Sequence, residues 1–555
     1  MNEPPEDPRL SQAHHEAVNR RRRIVVQYDP NLEIGLDLTQ RSGTEASNDA
    51  IGSTVRMVGH SELTGQSVFV YEDDPETQID AIIWDMGGPT GMATYRSKVL
   101  DPFPHASLRR WWDEGLDLVA ALVDACRERE LEVFWNHRIS EADFLPDSGG
   151  SDPEDEINPV KIAHPDWVIR DIHWYGDWNY AVPEVRALNL EVLEELAANY
   201  DFDGFQIDFS RHVPCLPPGE EWAHRDAMTD FVRSVRHMTL DVERERGRPF
   251  LLGVKVPRNE AGCRADGFDV ETWARQSLVD SFTVGCRSID VDLDFFRRIT
   301  DGRDIKLQPT LETHHATAGY KFSSVEFLRG VFGNFWQQGA DTVQTFNWSA
   351  ALQQERGEFP HRFDATRVEL QALKEIGSPE MLAGRDKMFA IERRGGFPWS
   401  GGFFARNDTA PLPVTLANHG RPEELEVRIC DNLRALADKL DEVMLRVVLH
   451  GAREGDHFEI RLNGAALGPS LDDHEWKDPQ ILTPGPQTAT CSLIQREIDP
   501  DQKLLRMDYA VPPRLCRVGA NRVTVRIVKR VPHESREHIA VEKIEIHVRY
   551  AGLRK

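Results

Sequence analysis

Residues 203–209, DGFQIDF, alternate strictly: Phe205, Ile207 and Phe209 share one parity, and Gly204, Gln206 and Asp208 share the other. A strand turns successive side chains to opposite faces, so this stretch predicts a strand with one apolar face and one polar face that ends in a carboxylate. Seven further runs of similar length fall at 23–29, 80–86, 131–138, 250–256, 279–285, 305–312 and 341–348. Segments with helical spacing separate them. In 107–128, Trp112, Leu116, Val119, Val123 and Cys126 step by three and four along one face. In 184–198, Val185, Leu188, Val192 and Leu196 do the same, behind a first-turn Pro183. Eight strands with helical crossovers predict an α/β fold, a (β/α)8 TIM barrel. Residues 364–377, DATRVELQALKEIG, supply its last helix, while 30–79 read as a long irregular connection.

Beyond about residue 380 the period changes from helical to two. MLRVVLH, FEIRLNG, NRVTVRIV and KIEIHVRY alternate, and Asn463-Gly464 is a two-residue hairpin signal. Ile544, Ile546, Val548 and Tyr550 share a face, opposite Glu545, His547 and Arg549. These marks predict an all-β sandwich of jelly-roll type, with a short helix around DNLRALADKL bridging into it. The expected organisation is an N-terminal tail (1–21), a catalytic barrel (22–378) and a β-sandwich accessory domain (379–555). The sandwich has two readings, a glycan binder or a structural cover for the barrel. Its aromatic candidates, Trp476 and Tyr509, are few, which favours the cover.

Bulk properties narrow the partners. The chain has 555 residues, 28% of them charged, with a formal net charge of −26, which argues against nucleic acid or an anionic membrane. No run approaches the ~18 apolar residues of a membrane span. The N-terminal stretch lacks the apolar core of a leader, so a cytoplasmic location is the expectation. Seven scattered cysteines without a CxxC pair read as reduced thiols. No HExxH, phosphate loop or GxSxG elbow occurs, and His14-His15 and His314-His315 are adjacent pairs that diverge on a strand. Neither a metal nor a cofactor is expected.

Barrel chemistry sits at the C-terminal ends of the strands, so polar residues ending strands with inward parity are the candidates. Asp208 ends the fourth strand behind Gln206. In the seventh, Lys306, Gln308, Thr310 and Glu312 share one parity. Two carboxyls facing one cavity are what glycosidic hydrolysis requires: one protonates the leaving oxygen, the other acts as nucleophile or activates water. Asp208 and Glu312 are therefore the catalytic candidates. Asp85, Asn136, His137, Arg138, Gln206, Arg211, Lys255, His314, Asn347 and Trp348 lie along the same rim as candidate substrate-binding residues, and Tyr95 and Trp348 as sugar platforms. Arg138, Arg211 and Lys255 together point to an anionic glycan.

VFWNHRISEADF, KIAHPDWVI, YAVPEVRALNLEVLEELAANYDFDGFQIDFSRH and VKVPRNEAGCRADGFDVETWARQSLVDSFTVG, in this order over roughly residues 80–350, resemble the glycosyl-hydrolase-like barrels related to family 10. The resemblance implies hydrolysis of glycosidic bonds in a poly- or oligosaccharide. It places the fourth-strand acid at Asp208, its following arginine at Arg211 and the third-strand arginine at Arg138. The seventh-strand acid of related retaining barrels would be Glu312. The fourth strand also resembles the chitinase signature, but Ser210 stands where that signature has its acid. Related retaining barrels carry a glutamate where this chain has Asp208, so Asp208 reads equally as nucleophile or base, with the acid at Asp85 or Glu312. Two other readings stay open: a carbohydrate-binding protein on a degenerate barrel, and a sugar lyase or isomerase with Lys255 or His137 as base.

Overall fold

The computed structural model describes residues 10–28, 69, 71–85, 91–103, 106–139, 158–170, 176–210, 213–286, 288–313, 320, 323–346, 348, 365–393, 410–418, 420–478, 503–532 and 538–552. Eight parallel strands close into a barrel: β1 (Ile24–Tyr28), β2 (Ile79–Trp84), β3 (Glu132–Arg138), β4 (Gly204–Asp208), β5 (Leu251–Val256), β6 (Ser281–Cys286), β7 (Lys306–Glu312) and β8 (Val343–Phe346). They are hydrogen-bonded in sequence order, and β8 pairs with β1 to complete the ring. All eight fall within two residues of the expected segments. The outward parity of β4, Phe205 and Ile207, is buried in the main core with Phe202 and Phe250. Gly204 allows β4 to start hard against β5, where a Cβ would stand 2.2 Å from the Leu251 carbonyl oxygen.

Helix boundaries follow local chemistry. The segment 107–128, expected as one helix, is two: α2 (Ala106–Asp113) and α3 (Leu118–Glu128). Gly115 breaks it with φ +82°, and Asp117 caps the restart by accepting from the Ala120 N–H at 3.1 Å. α4 (Pro183–Asn199) begins on its proline as expected. α5 (Arg225–Arg246) and α6 (Val325–Gln337) belong to other crossovers, and α7 (Ala365–Leu373) follows β8 as the expected last helix. Among the described residues no helix is long and apolar enough to cross a membrane.

Among the described residues, nine strands of three residues or more build the C-terminal sandwich: β9 (Lys387–Ala390), β10 (Glu423–Ile429), β11 (Leu440–His450), β12 (His457–Leu462), β13 (Ala465–Leu467), β14 (Leu471–Trp476), β15 (Leu504–Ala510), β16 (Gly519–Lys529) and β17 (Ala540–Tyr550). One sheet runs β9-β17-β11-β15-β14, with the short strand Val414–Thr415 on β17, and the other runs β10-β16-β12-β13. Asn463 and Gly464 take φ of 51° and 87° and make the β12–β13 turn. The helix expected in DNLRALADKL reduces to one 3-10 turn at Ala437–Lys439, because β11 begins at Leu440. Tyr509 is buried in the sandwich core, and Trp476 lies under Arg506 and Arg446, 4.4 and 5.6 Å from its ring centre.

The sandwich packs directly on the barrel. Gly330 of α6 approaches β9 so closely that a Cβ would stand 2.0 Å from the Met388 carbonyl oxygen. Arg258, just past β5, donates to Glu392 at 2.8 Å, and Tyr320, past β7, donates to Glu545 of β17 at 3.2 Å. These contacts explain why Glu545, on the parity opposite Ile544 and Ile546, is buried as well.

The stretch read as a tail holds a docked helix, α1 (Gln12–Asn19), with fully buried His14 on its inner face. His14 Nδ1 lies 2.5 Å from Glu243 Oε2 and Nε2 lies 2.9 Å from Asp280 Oδ1. Arg236 also holds Asp280, through bonds of 2.9 and 2.6 Å. Burial works against the charged imidazole and Arg236 opposes it as well, but Asp280 and Glu243 more than offset both, so the His14 pKa lies above its ordinary 6.5. A pKa raised by folding contributes stability that is complete below about 6.5 and fades as pH rises through the folded-state value. His14→Gln is therefore expected to cost about 3 kcal/mol in urea unfolding below pH ~6.5, the scale of a broken buried pair, and progressively less at alkaline pH. A pH-independent difference would show that the imidazolium is not what docks α1.

Candidate active site at the C-terminal ends of the barrel strands

The inward parity of the barrel is polar over much of its height. Gln27 of β1 sits at its centre, its Oε1 accepting from Lys255 Nζ at 3.1 Å, Gln206 Nε2 at 3.2 Å and Gln344 Nε2 at 2.7 Å. Gln206 also donates to Asn136 Oδ1 at 2.7 Å, and Thr283 Oγ1 donates to Gln206 Oε1 at 2.8 Å. Gln308 donates to Thr283 at 3.1 Å and to Gln344. The layer joins β1, β3, β4, β5, β6, β7 and β8, and each amide side chain makes at least one bond within it, while Gln27 Nε2 and Asn136 Nδ2 make none among the described residues. Asn136 and Gln206, expected on the substrate rim, belong to this layer instead.

Charged groups sit one step above it. Asp208 ends β4 in register with Arg138 of β3 and Lys255 of β5. Asp208 and Lys255 are both fully buried, and Lys255 Nζ lies 3.4 Å from Asp208 Oδ2. The Ser210 N–H donates to Asp208 Oδ1 at 2.9 Å, fixing the carboxyl from the strand end. The same ammonium stands 3.9 Å from the ring centre of Phe346 on β8, a cation–π contact. Arg138 Nε donates to Asp85 Oδ2 at 2.7 Å, and both groups are buried. Arg138 and Lys255, expected to meet substrate, thus each face a carboxylate of the protein. Glu312 ends β7, buried, in register with Phe346. Around the ring β4 and β7 are separated by β5 and β6, so Asp208 and Glu312 approach the mouth from different sides.

Two expected rim residues face the helices. His137 has the parity opposite Asn136, and its Nε2 lies 2.9 Å from Asn189 Oδ1 on α4. Burial depresses its pKa to about 4, against the pull of the Asn189 bond, so the ring is neutral at neutral pH. Trp348 is fully buried in the main core, its Nε1 donating to the Leu311 carbonyl at 3.0 Å and its ring edge-on to Phe332 of α6 at 5.8 Å. Tyr95 is likewise packed, edge-on to Trp135 and Tyr200 at 6.0 Å each. Arg211, His314 and Asn347 lie outside the described residues.

The structure adds residues that the pattern reading passed over. Glu369 of α7 is fully buried and accepts from Tyr71 Oη at 2.7 Å and from Thr313 Oγ1, next to Glu312, at 2.8 Å. Burial drives its pKa well above the carboxylate range, against those two bonds. Its signal was available: Glu369 lies three, four and seven residues before Ala372, Leu373 and Ile376, all buried, so it is an acid on an apolar stripe. Gln27 and Gln344 also carried a signal, as amides inside apolar strands.

No family model matches the chain, and no curated protein matches it. Solved structures align at low identity. The α-L-fucosidase isoenzyme 2 from Paenibacillus thiaminolyticus aligns at 13% identity and TM-score 0.36, over 72% of this chain and 51% of that one, so the chain spans about half the fucosidase's length. The maltogenic α-amylase AmyB from Thermotoga neapolitana aligns at 12% and 0.35, over 91% and 99%. The glycoside hydrolase domain of PgaB from Bordetella bronchiseptica aligns at 12% and 0.37, over 64% and 99%. None of these identities reaches the level at which an activity carries from one chain to another.

The Lys255–Asp208 pair yields a direct check. Lys255→Met removes the cation beside a fully buried carboxylate, so urea unfolding is expected to show a loss of about 3–5 kcal/mol. Lys255→Met combined with Asp208→Asn is expected to recover part of it. Simple additivity of the two single losses would mean that the groups are not coupled.

Proposed function

We propose that this chain is a glycoside hydrolase that cleaves a poly- or oligosaccharide with Asp208 and Glu312 at the C-terminal face of the barrel. The observation that carries this reading is the placement of two carboxyls at inward strand ends, β4 and β7, with the Lys255 ammonium beside one of them. A cation this close favours the charged form of a carboxylate, which suits Asp208 to the nucleophile or general base. Glu312, in register with the Phe346 ring, is then the general acid that protonates the leaving oxygen. Asp85 is the weaker candidate for acid, because Arg138 holds it in an ion pair.

The likeness of the β3 to β6 region to family-10-related barrels supports the same chemistry at the level of reaction class. Two of the three cations that point to an anionic glycan, Arg138 and Lys255, lie beside carboxylates of the chain, Asp85 and Asp208, which weakens that reading. The sandwich serves as a cover anchored on the loops after β5 and β7, rather than as a separate glycan binder, because Tyr509 is buried and Trp476 lies under two guanidinium groups.

One observation favours the non-catalytic carbohydrate-binding reading: Asp208 and Glu312 are only 0% and 4% exposed. Turnover separates the two. On a glycan found by screening for reducing-end release, Asp208→Asn and Glu312→Gln are each expected to lower kcat by at least roughly 10²-fold, the scale of general acid–base help, at a temperature where circular dichroism shows each variant folded. Near-normal turnover in both variants would remove the pair from the mechanism, and calorimetric binding without any hydrolysis would favour the binding protein.

A further inference from the structure

The opposite end of the barrel contains a gap. A TIM barrel interior is ordinarily filled by successive layers of side chains. In the lower half of this one, β5 and β6 place Gly253 and Ser281 side by side in register, so two adjacent strands contribute almost no side-chain volume to the layer. Val25, Ile83 and Phe134 stand on the facing strands and do not make up the difference. The result is a cavity of about 240 Å³, bordered below by the segment following α1. That exceeds the ~150 Å³ at which an apolar cavity holds benzene.

Its walls define the occupant. Val25, Ile83 and Phe134 present hydrocarbon and an aromatic ring. Gln308 commits its amide nitrogen to Thr283 and Gln344, which leaves its carbonyl oxygen as an acceptor at the cavity. Several charges at the entrance have a partner of opposite sign: Arg20 and Arg22 share Glu132, Arg297 holds Asp341 at 2.9 Å, and Arg236 holds Asp280. Lys306 donates to Asn19 at 2.6 Å. The lining cations Arg20 and Arg21 are exposed at the mouth, and Lys306 reaches out to it, so an ionised group carried inward to Gly253 would lose its hydration, which is costly.

We propose that this cavity is a second binding site, separate from the C-terminal face, for a small neutral molecule that is mostly apolar and carries one hydroxyl or N–H donor. The apolar body fills the space left by Gly253 and Ser281, and the donor bonds to Gln308. The site stands on the packing of the lower barrel and does not depend on the reaction assigned to the upper face.

Ligand-observed NMR on the full chain tests this with phenol, cyclohexanol and benzoate at millimolar concentration. Phenol and cyclohexanol are expected to bind and benzoate is not. Gly253→Val fills the gap and needs only the Ser281 hydroxyl to move, since a Cβ there would lie 2.7 Å from it. It is expected to weaken phenol binding at least tenfold, and Ser281→Leu to do the same should the first variant fail to fold. Asp208→Asn is expected to leave phenol binding unchanged, which locates the site away from the upper face. Absence of binding by either neutral probe, meaning water alone in the cavity, would overturn the proposal. So would equal binding of benzoate, or phenol binding unaffected by filling the gap.

Discussion

A lysine ammonium at the centre of a closed barrel is the constraint around which this molecule is arranged. Lys255 has no exposure, and an unmatched charge there would cost several kcal/mol. Three groups from three other strands answer it: the Asp208 carboxylate, the Gln27 carbonyl and the Phe346 ring. Gln27 can serve Lys255 only because it also gathers Gln206 and Gln344, and those amides in turn order Asn136, Thr283 and Gln308. The barrel axis is polar where this buried charge has to be compensated. The carboxyl at the end of β4 is held in place by the same requirement.

That demand divides the barrel by height. The middle is an amide layer and the upper end carries paired charges, while the lower end returns to hydrocarbon in Val25, Ala81 and Ile83. Small residues at Gly253 and Ser281 leave this lower layer short of volume. The accessory sandwich is tied in at the upper end. Arg258 lies three residues after Lys255 and reaches Glu392, whose pKa burial lifts to about 7 against the opposing pull of Arg258. On β17, Glu545 accepts from Tyr320 and contacts His547; burial would raise its pKa, but His547, Lys543 and Arg446 bring it down to about 2. The loops after β5 and β7 are thus positioned from both sides, by the strands they leave and by the sandwich they meet.

Errors of the sequence reading share one cause. His137, Trp348 and Tyr95 were assigned to the rim on residue type and proximity to strand ends, yet each is claimed by a partner distant in the chain: Asn189, the Leu311 carbonyl, and the rings of Trp135 and Tyr200. His14 was placed in a tail, and the two acids that hold it, Glu243 and Asp280, are more than two hundred residues away. Glu369 sits in a helix, where the parity of strand ends carries no information about it.

What the sequence determined by itself is everything that depends on periodicity and local sterics. Period two against period 3.6 located all eight barrel strands and the change to a β-sandwich, because side-chain direction follows from the backbone alone. The same parity put Asp208 and Glu312 on the inner face, and Asn463-Gly464 and Pro183 marked a turn and a helix start through their own φ preferences. Tertiary structure decided which polar residues are compensated by others. Whether Arg138 and Lys255 face substrate or a carboxylate of the chain is settled by strands that come together only when the barrel closes, and no local pattern encodes that distance.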